Sequence, residues 1–380
     1  MVQFCQSREE EGRKVALPSL RVIFAVRRDL YTSPGGDAVQ VDGTASGLRR
    51  LGVEVTVSSD PKADLKAFDC VHLFHLERVH ETYPHYLNAT RQGKPYVLSP
   101  IYWPRNEVRA RAQARRPGGM RWSTPDLANV VRLAAPGAVE RRAILLVLRK
   151  GWRRCREEIL AGARVVLPNS RAEAEFLPAE LAGSGRCRVV PNAIDPEACR
   201  TGRARLSGGS RSGVLSVGHF DVRKNQMLLI RALRGTDVPV TFVGEGRSLQ
   251  KPYYRWCRLR AGGNFRFLGR VPKEKVLELM CGAQVHVCPS RFETPGLANL
   301  EAAAMGCNLV VPDCPPIREY FGEEGCYFSN GDAEGLKVAV LKALETSAPP
   351  GLAERGLKMY TWDAVEKETL SAYEDAIRGG

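Results

Sequence analysis

Two carboxylates eight residues apart frame the stretch SRFETPGLANLEAAAMG, residues 290–306. Glu293 stands in a loop broken by Pro295 and Gly296, and Glu301 falls inside Ala-rich sequence that favours helix. A helix starting here leaves the N–H groups near Gly296, Leu297 and Ala298 without helical partners, which suits phosphate or another polar ligand. An ionised carboxylate accepts two hydroxyl hydrogen bonds well, so Glu301 fits a ribose diol and Glu293 the hydroxyls of a sugar or another hydroxyl-bearing ligand. A plainer account stays open: one favourable acid near a helix start and one surface acid.

A second group points to an anion. In GHFDVRKNQMLLIRAL, Lys224 falls near the first turn of a predicted helix, just after a strand-end loop. The helix dipole gives a cation no reason to be there. A bound anion does, held by free N–H groups and the ammonium together, with His219 able to face the same charge. A solvated surface lysine is the alternative. Glycine turns recur at predicted strand ends: Gly35–Gly36, Gly218 and Gly244–Gly246. None completes GxGxxG, and GxxxxGK[ST] is absent, so the dinucleotide fingerprint and the kinase-type phosphate loop both fail.

The elements that must position these residues alternate. Predicted strands at 21–26, 53–59, 70–76, 94–102 and 163–170 are separated by helix-compatible sequence, with a helix over 37–51. An insert at 103–135, rich in Arg, Pro and Gly, interrupts the rhythm and is placed outside the sheet. After CRVVPNAID, the Gly-rich run 201–213 marks a domain junction. Strands then resume at 213–220, 238–246, 264–270, 283–290, 308–314 and 326–330, with helices at 224–235, 273–282 and 298–306. The pattern predicts an α/β protein of two successive parallel-sheet domains, 20–200 and 201–360, after a tail over 1–19. Ligands of such sheets bind beyond the carboxyl ends of the strands.

Bulk composition narrows the class. With 380 residues, 44% of them hydrophobic, the chain can bury two cores. No apolar run approaches a membrane span, and the first twenty residues lack the apolar core of a signal peptide. Eleven cysteines, an odd number without a CxxC pair, read as free thiols in a reducing compartment, and a zinc site has little support in the spacing. His72, His75, His80 and His85 form no metal cluster, and their spacing forces none into a site; a core or surface place is expected for each. The net charge of +14 is uneven: residues 103–158 hold fourteen Arg/Lys against five Asp/Glu. Such a field attracts nucleic acid, anionic lipid or a phosphorylated substrate.

The ordered segments SPGGDAVQ, VVLPNSRAEAEFL, VVPNAID, VLSVGHFDVRKNQMLLIRAL, VTFVGEG, FLGRVP and CPSRFETPGLANLEAAAMGCNLVVPD resemble family 4 glycosyltransferases over roughly residues 20–378. The resemblance implies the GT-B fold: two Rossmann-like domains facing each other across a cleft. It also implies that TWDAVEKETLSAYEDAI, within 361–378, forms a closing helix that packs back on the first domain. By this likeness Lys224 meets the donor diphosphate, Glu301 the ribose and Glu293 the donor sugar. Gly35 and Gly36 approach the phosphates from the first domain, and Gly269 and Arg270 lie where the nucleobase meets backbone. His219 stands where relatives usually have arginine, after Gly218. Many relatives carry a histidine where this chain has Ile101, just after the strand PYVLSPIY.

The activity so implied is retaining transfer of a sugar from a UDP- or GDP-type nucleotide diphosphate-sugar to an acceptor hydroxyl. Lys224, Glu293 and His219 are the catalytic candidates, with no metal and no cofactor. The basic segment 103–158 then implies an anionic acceptor, a lipid-linked or phosphorylated glycan precursor, reached in the cytoplasm or at the cytoplasmic face of an anionic membrane. Its apolar run 143–148 is either membrane-facing or core-facing. A nucleotide-sugar epimerase of the same fold is the alternative enzyme. A nucleic-acid-binding protein fits the charge, but no recognition motif accompanies it.

Overall fold

The computed structural model of the chain describes residues 20–102, 138–182, 184–206, 210–246 and 250–379. The N-terminal tail and the insert 103–135, with Arg115 and Arg116, lie outside these described residues. Five parallel strands form the first sheet: β1 (Arg21–Ala25), β2 (Glu54–Ser58), β3 (Cys70–Phe74), β4 (Tyr96–Ser99) and β5 (Val165–Val166), in the order β2-β1-β3-β4-β5. Six parallel strands form the second: β6 (Val214–Val217), β7 (Val240–Val243), β8 (Phe265–Phe267), β9 (Val285–Val287), β10 (Asn308–Pro312) and β11 (Cys326–Phe328), in the order β11-β10-β9-β6-β7-β8. Strands β3, β4 and β10 are buried throughout, which is why their sequences are continuous apolar runs rather than alternating ones.

The strands are shorter than the apolar runs that encode them, for local reasons. The run over 94–102 yields only β4 because Pro100 has no N–H and Ile101 turns out of the strand at φ +41°. The run over 163–170 stops at Val166; Pro168 follows, and the Ser170 hydroxyl caps the next helix by accepting from the Glu173 N–H.

In the first sheet the chain steps from β1 to β2 on one side, then back to β3 on the other. In the second it runs β6-β7-β8 and then returns to place β9 beside β6. Each sheet therefore has one switch point, β1/β3 and β6/β9, where diverging connections open a crevice at the carboxyl edge.

The closing helix Trp362–Arg378 packs on the helix Gly36–Arg50, and its buried Tyr373 joins Val22, Phe24, Val41 and Leu48 in one core. Glycines permit the contact: a Cβ on Gly43 would lie 2.1 Å from the Trp362 ring. Gly43→Ala gains under about 1 kcal/mol in helix propensity but overpacks a rigid ring at a cost of roughly 1–3 kcal/mol. We expect net destabilisation of about 1–2 kcal/mol by these terms, read from the denaturation midpoint. A variant as stable as the parent would show that Trp362 swings aside freely.

Candidate functional site

Both switch points carry charged side chains. At β6/β9 the loop after β6 brings Lys224 and the loop after β9 brings Glu293. Lys224 Nζ donates to Glu293 Oε2 at 2.5 Å, and the Ser290 hydroxyl donates to the same oxygen at 3.0 Å. The Arg291 N–H donates to the Arg223 carbonyl at 2.9 Å, tying the two loops together. Lys224 precedes its helix rather than lying in the first turn: the helix is Gln226–Leu233, and its N-cap Asn225 adopts a left-handed φ of +55°. Little of either side chain is exposed, 27% for Lys224 and 13% for Glu293, so neither is a solvated surface group. Burial works against the Lys224 ammonium, yet the Glu293 carboxylate outweighs it and the lysine pKa lies above its ordinary value. Burial alone would raise the Glu293 carboxyl; Lys224, Arg223 and Ser290 bring it below the ordinary value instead. The pair is ionised at neutral pH. His286, fully buried on β9 beside it, is held neutral, its pKa pushed down to about 4 by burial and then by Lys224.

The helix Leu297–Ala304 begins directly after Glu293. Its N-cap Gly296 has φ +82°, and a Cβ there would lie 2.8 Å from Glu293 Cγ, so only glycine lets the turn close over the acid. Leu297 and Ala298 stand in its first turn, where N–H groups have no helical partner. Glu301, one turn further, is only 8% exposed and forms an ion pair with Lys273 at the start of helix Lys273–Gly282. The acid in the Ala-rich helix is thus buried and paired, not a surface acid.

At β1/β3 the structure assembles a cluster that the sequence did not advertise. Arg27, buried, reaches Asp37 at 2.5 Å and Asp29 at 2.5 Å, and donates to the Ser33 carbonyl at 2.9 Å. His75, at the end of β3, meets the same Asp37 through Nε2 at 3.1 Å. Burial would raise the Asp37 carboxyl, but hydrogen bonds from His75 and Arg27 hold it far below the usual range. His75 has φ +73° and Ile101, at the end of the neighbouring β4, φ +41°. Left-handed backbone at a β-branched residue is strained, and such strain concentrates at functional sites. The other early histidines are buried: His72 between Tyr373 and Ser99, His80 and His85 within their helix. Beside Ile101, the buried Glu173 accepts from the Tyr102 and Asn169 N–H groups at 2.5 and 2.6 Å, and burial pushes its carboxyl up to about 7 against those bonds.

The two crevices face each other. A Cβ on Gly36 would lie 3.9 Å from Leu297 Cδ1, and His219 Nε2 lies 3.2 Å from the Pro34 carbonyl, next to Gly35. Asn192 donates to the Thr294 carbonyl at 2.8 Å, and Tyr320 OH donates to the Asn169 carbonyl at 2.6 Å. Lys224, His219, Glu293, Gly296, Leu297 and Ala298 therefore gather opposite Gly35 and Gly36. Gly218 and Gly269 lie on the same edge: the Gly244 N–H donates to the Gly269 carbonyl at 2.7 Å, and a Cβ on Gly244 would strike the Gly218 carbonyl at 2.1 Å. Arg270 beside them is exposed. A cavity of about 640 Å³, lined by Arg203, Arg211, Gln284 and Asn308, lies at the other end of the second sheet, away from this cleft. Among the described residues no group of three or more His, Cys, Asp or Glu is arranged to hold a metal ion.

Residues 205–355, which contain the Lys224–Glu293 crevice, match the family model described as "Glycosyl transferases group 1". Over those residues the chain is similar to group 1 glycosyl transferases. Over 171 residues the chain is 30% identical to O-antigen chain mannosyltransferase B of Escherichia coli, covering 42% of this chain and 45% of that protein. Over 221 residues it is 30% identical to glycogen synthase of Mycobacterium tuberculosis, covering 53% and 51%. The chain spans about half the length of the curated relatives it matches. The fold of the whole chain is GT-B. Sucrose-phosphate synthase from Thermosynechococcus elongatus superposes with a TM-score of 0.71 at 16% identity, over 96% of this chain and 100% of that one. Anabaena Alr3699/HepE in complex with UDP-glucose superposes at 0.61 and 15% identity, over 93% and 100%. The second domain supplies Lys224, Glu293, Glu301 and the helix start; the first domain supplies Gly35, Gly36 and the Arg27–Asp37–His75 cluster.

Proposed function

We propose that this chain is a retaining glycosyltransferase that moves a sugar from a nucleotide diphosphate-sugar, of UDP or GDP type, to an acceptor hydroxyl. The observation that carries the reading is the half-buried Lys224–Glu293 pair at the β6/β9 switch point, facing the glycine turn of the opposite domain. When the donor splits, negative charge develops on the outer phosphate. Lys224, His219 and the N–H groups of Leu297 and Ala298 meet that charge. Gly35 and Gly36 let first-domain backbone approach the phosphates, Glu301 holds the ribose, Glu293 the sugar, and the Gly218, Gly269 and Arg270 edge the nucleobase end. The acceptor hydroxyl enters on the face the phosphate leaves, and a phosphate oxygen takes its proton. In this proposal no metal or cofactor is needed, because Lys224 and the helix start supply the positive charge at the leaving group. The solved UDP-glucose complex of a chain with the same fold supports the donor class. Nothing in the site favours an epimerase or nucleic-acid binding.

The acceptor is read as an anionic or lipid-linked glycan precursor at the cytoplasmic face of a membrane. The support is helix Ala138–Lys150 of the first domain. Ile144 and Val147 are buried, whereas Leu145, Leu146 and Leu148 point outward among exposed Arg141, Arg142 and Arg149. The apolar run is thus half core and half surface. Arg153 pairs with Glu157 at 2.7 Å and Arg154 with Glu158 at 3.5 Å, which tempers the local field.

Incubation with UDP- and GDP-sugars, read as nucleoside diphosphate release and as the anomeric configuration of the product, tests the reaction. Inverted product overturns the retaining assignment, and no release with any donor overturns the function. Reversing Arg141, Arg142 and Arg149 to Glu is expected to raise the acceptor KM several-fold at unchanged donor affinity, each charge near an anionic surface being worth roughly 1 kcal/mol. Full activity of that variant on a neutral soluble acceptor removes the anionic reading.

A further inference from the structure

The second domain carries an exposed surface that the reaction does not use. Helix Lys251–Arg260, KPYYRWCRLR, buries Cys257 alone and holds four cations and no acid. Its inner side is firmly seated. Tyr253 OH accepts from the Met227 N–H at 3.1 Å, Tyr254 packs edge-on against Phe220 at 4.8 Å, and Arg258 lies 5.9 Å from the rings of Tyr254 and Phe267. The outer side presents Leu259, 83% exposed, and Trp256, 47% exposed. At 100° per residue, Arg255, Leu259, Pro252 and Trp256 fall within about 100° of arc, with Lys251, Arg258 and Arg260 at its margins. Arg234 extends the basic border: its Cγ lies 3.6 Å from a Cβ placed on Gly262, just past the helix end.

We propose that helix Lys251–Arg260 docks the second domain on an anionic membrane surface, Leu259 and Trp256 entering the headgroup boundary while the surrounding cations meet lipid phosphates. A leucine and a tryptophan ringed by arginine and lysine form the composition of an interfacial helix. Two exposed apolar side chains bordered by cations match the change from apolar to charged across an anionic lipid surface. The centre of the helix's outer side is apolar, whereas nucleic acid draws cations to the centre of its contact. The proposal goes beyond the glycosyl transfer reading and does not depend on it, because the contact needs neither donor nor acceptor.

The test is co-sedimentation of the full chain with vesicles, without donor or acceptor, at about physiological salt, where screening acts beyond roughly 8 Å. One set is pure phosphatidylcholine, the other phosphatidylcholine with phosphatidylglycerol at two to one. The parent is expected to pellet with the anionic set only. Trp256→Ser with Leu259→Ser is expected to lower the partition coefficient roughly tenfold or more, as for a lost leucine burial. Arg255→Ser and Arg260→Ser are each expected to lower it about fivefold. Both side-chain pairs are exposed, and unchanged far-ultraviolet dichroism checks the fold. Equal binding to neutral vesicles, absence of binding by the parent, or full binding by the Trp256/Leu259 variant with loss only on Leu145→Ser and Leu146→Ser overturns the assignment. So does a concentration-dependent dimer in solution that Leu259→Ser abolishes, since a second copy then covers the helix.

Discussion

Lys224→Met is expected to reduce sugar transfer by roughly a hundred- to a thousandfold, the loss typical of removing one group that stabilises developing negative charge. Nucleoside diphosphate and intact donor should weaken together, because the lysine faces the phosphates. The same change leaves Glu293 without its ammonium. Breaking a fully buried pair costs about 3–5 kcal/mol; here the side chains keep 27% and 13% exposure, so water screens the orphan and about 2 kcal/mol is the better expectation. Glu293→Gln should behave differently. It releases Lys224 from its partner, so nucleoside diphosphate affinity is kept or rises while turnover falls. Calorimetry and release rates separate the two, and equal losses for both ligands in Glu293→Gln would contradict the division of roles. Acid titration adds a check. The Glu293 carboxyl sits below its ordinary value, so its contribution to stability is present above about pH 4.3 and lost as pH falls through the lowered value. The acid limb of the stability profile should be shallower in Glu293→Gln than in the parent.

Glu301→Ala is expected to weaken nucleoside diphosphate binding by about 1.5–3 kcal/mol, the range for charge-assisted hydrogen bonds, or roughly 10- to 150-fold. Its effect on stability should be small. The partner left behind, Lys273, is half exposed and returns to water. Lys273→Ala is the informative control, since it frees Glu301 for the ribose and should leave affinity intact. Unchanged affinity in a folded Glu301→Ala protein removes the ribose assignment. Equal loss in both variants shows that the ion pair, rather than the carboxylate, shapes the site.

The elements that position this candidate site are legible in the sequence. Strands β3, β4 and β10 show as continuous apolar runs because they are buried on both faces, and the loop-to-helix turn around Gly296 is readable from its residue types. Lys224 and Glu293 could each be singled out locally. Their contact could not, because 69 positions separate them and only the return of β9 beside β6 joins them. The Arg27–Asp37–His75 cluster was hidden for the same reason: Asp37 and His75 meet across the β1/β3 switch, 38 positions apart, and a histidine's role follows from its neighbour rather than its type. Helix Lys251–Arg260 is hard to read because apolar residues lie on both of its sides, Cys257 inward and Trp256 and Leu259 outward, so no single apolar stripe marks its buried face.

The closing helix has a consequence for how the protein is made. Arg50 bonds to Glu366 across 316 positions, and Tyr373 completes the core around Val22 and Phe24. On a ribosome adding roughly 5–20 residues per second, those partners are separated by about 15–60 s of synthesis. During that interval the helix Gly36–Arg50 shows its glycine-lined groove to whatever is near, while the later domain emerges. The half of the molecule written first is therefore finished last, and a chaperone or a neighbouring nascent chain has its longest opportunity at the groove that Trp362 eventually fills.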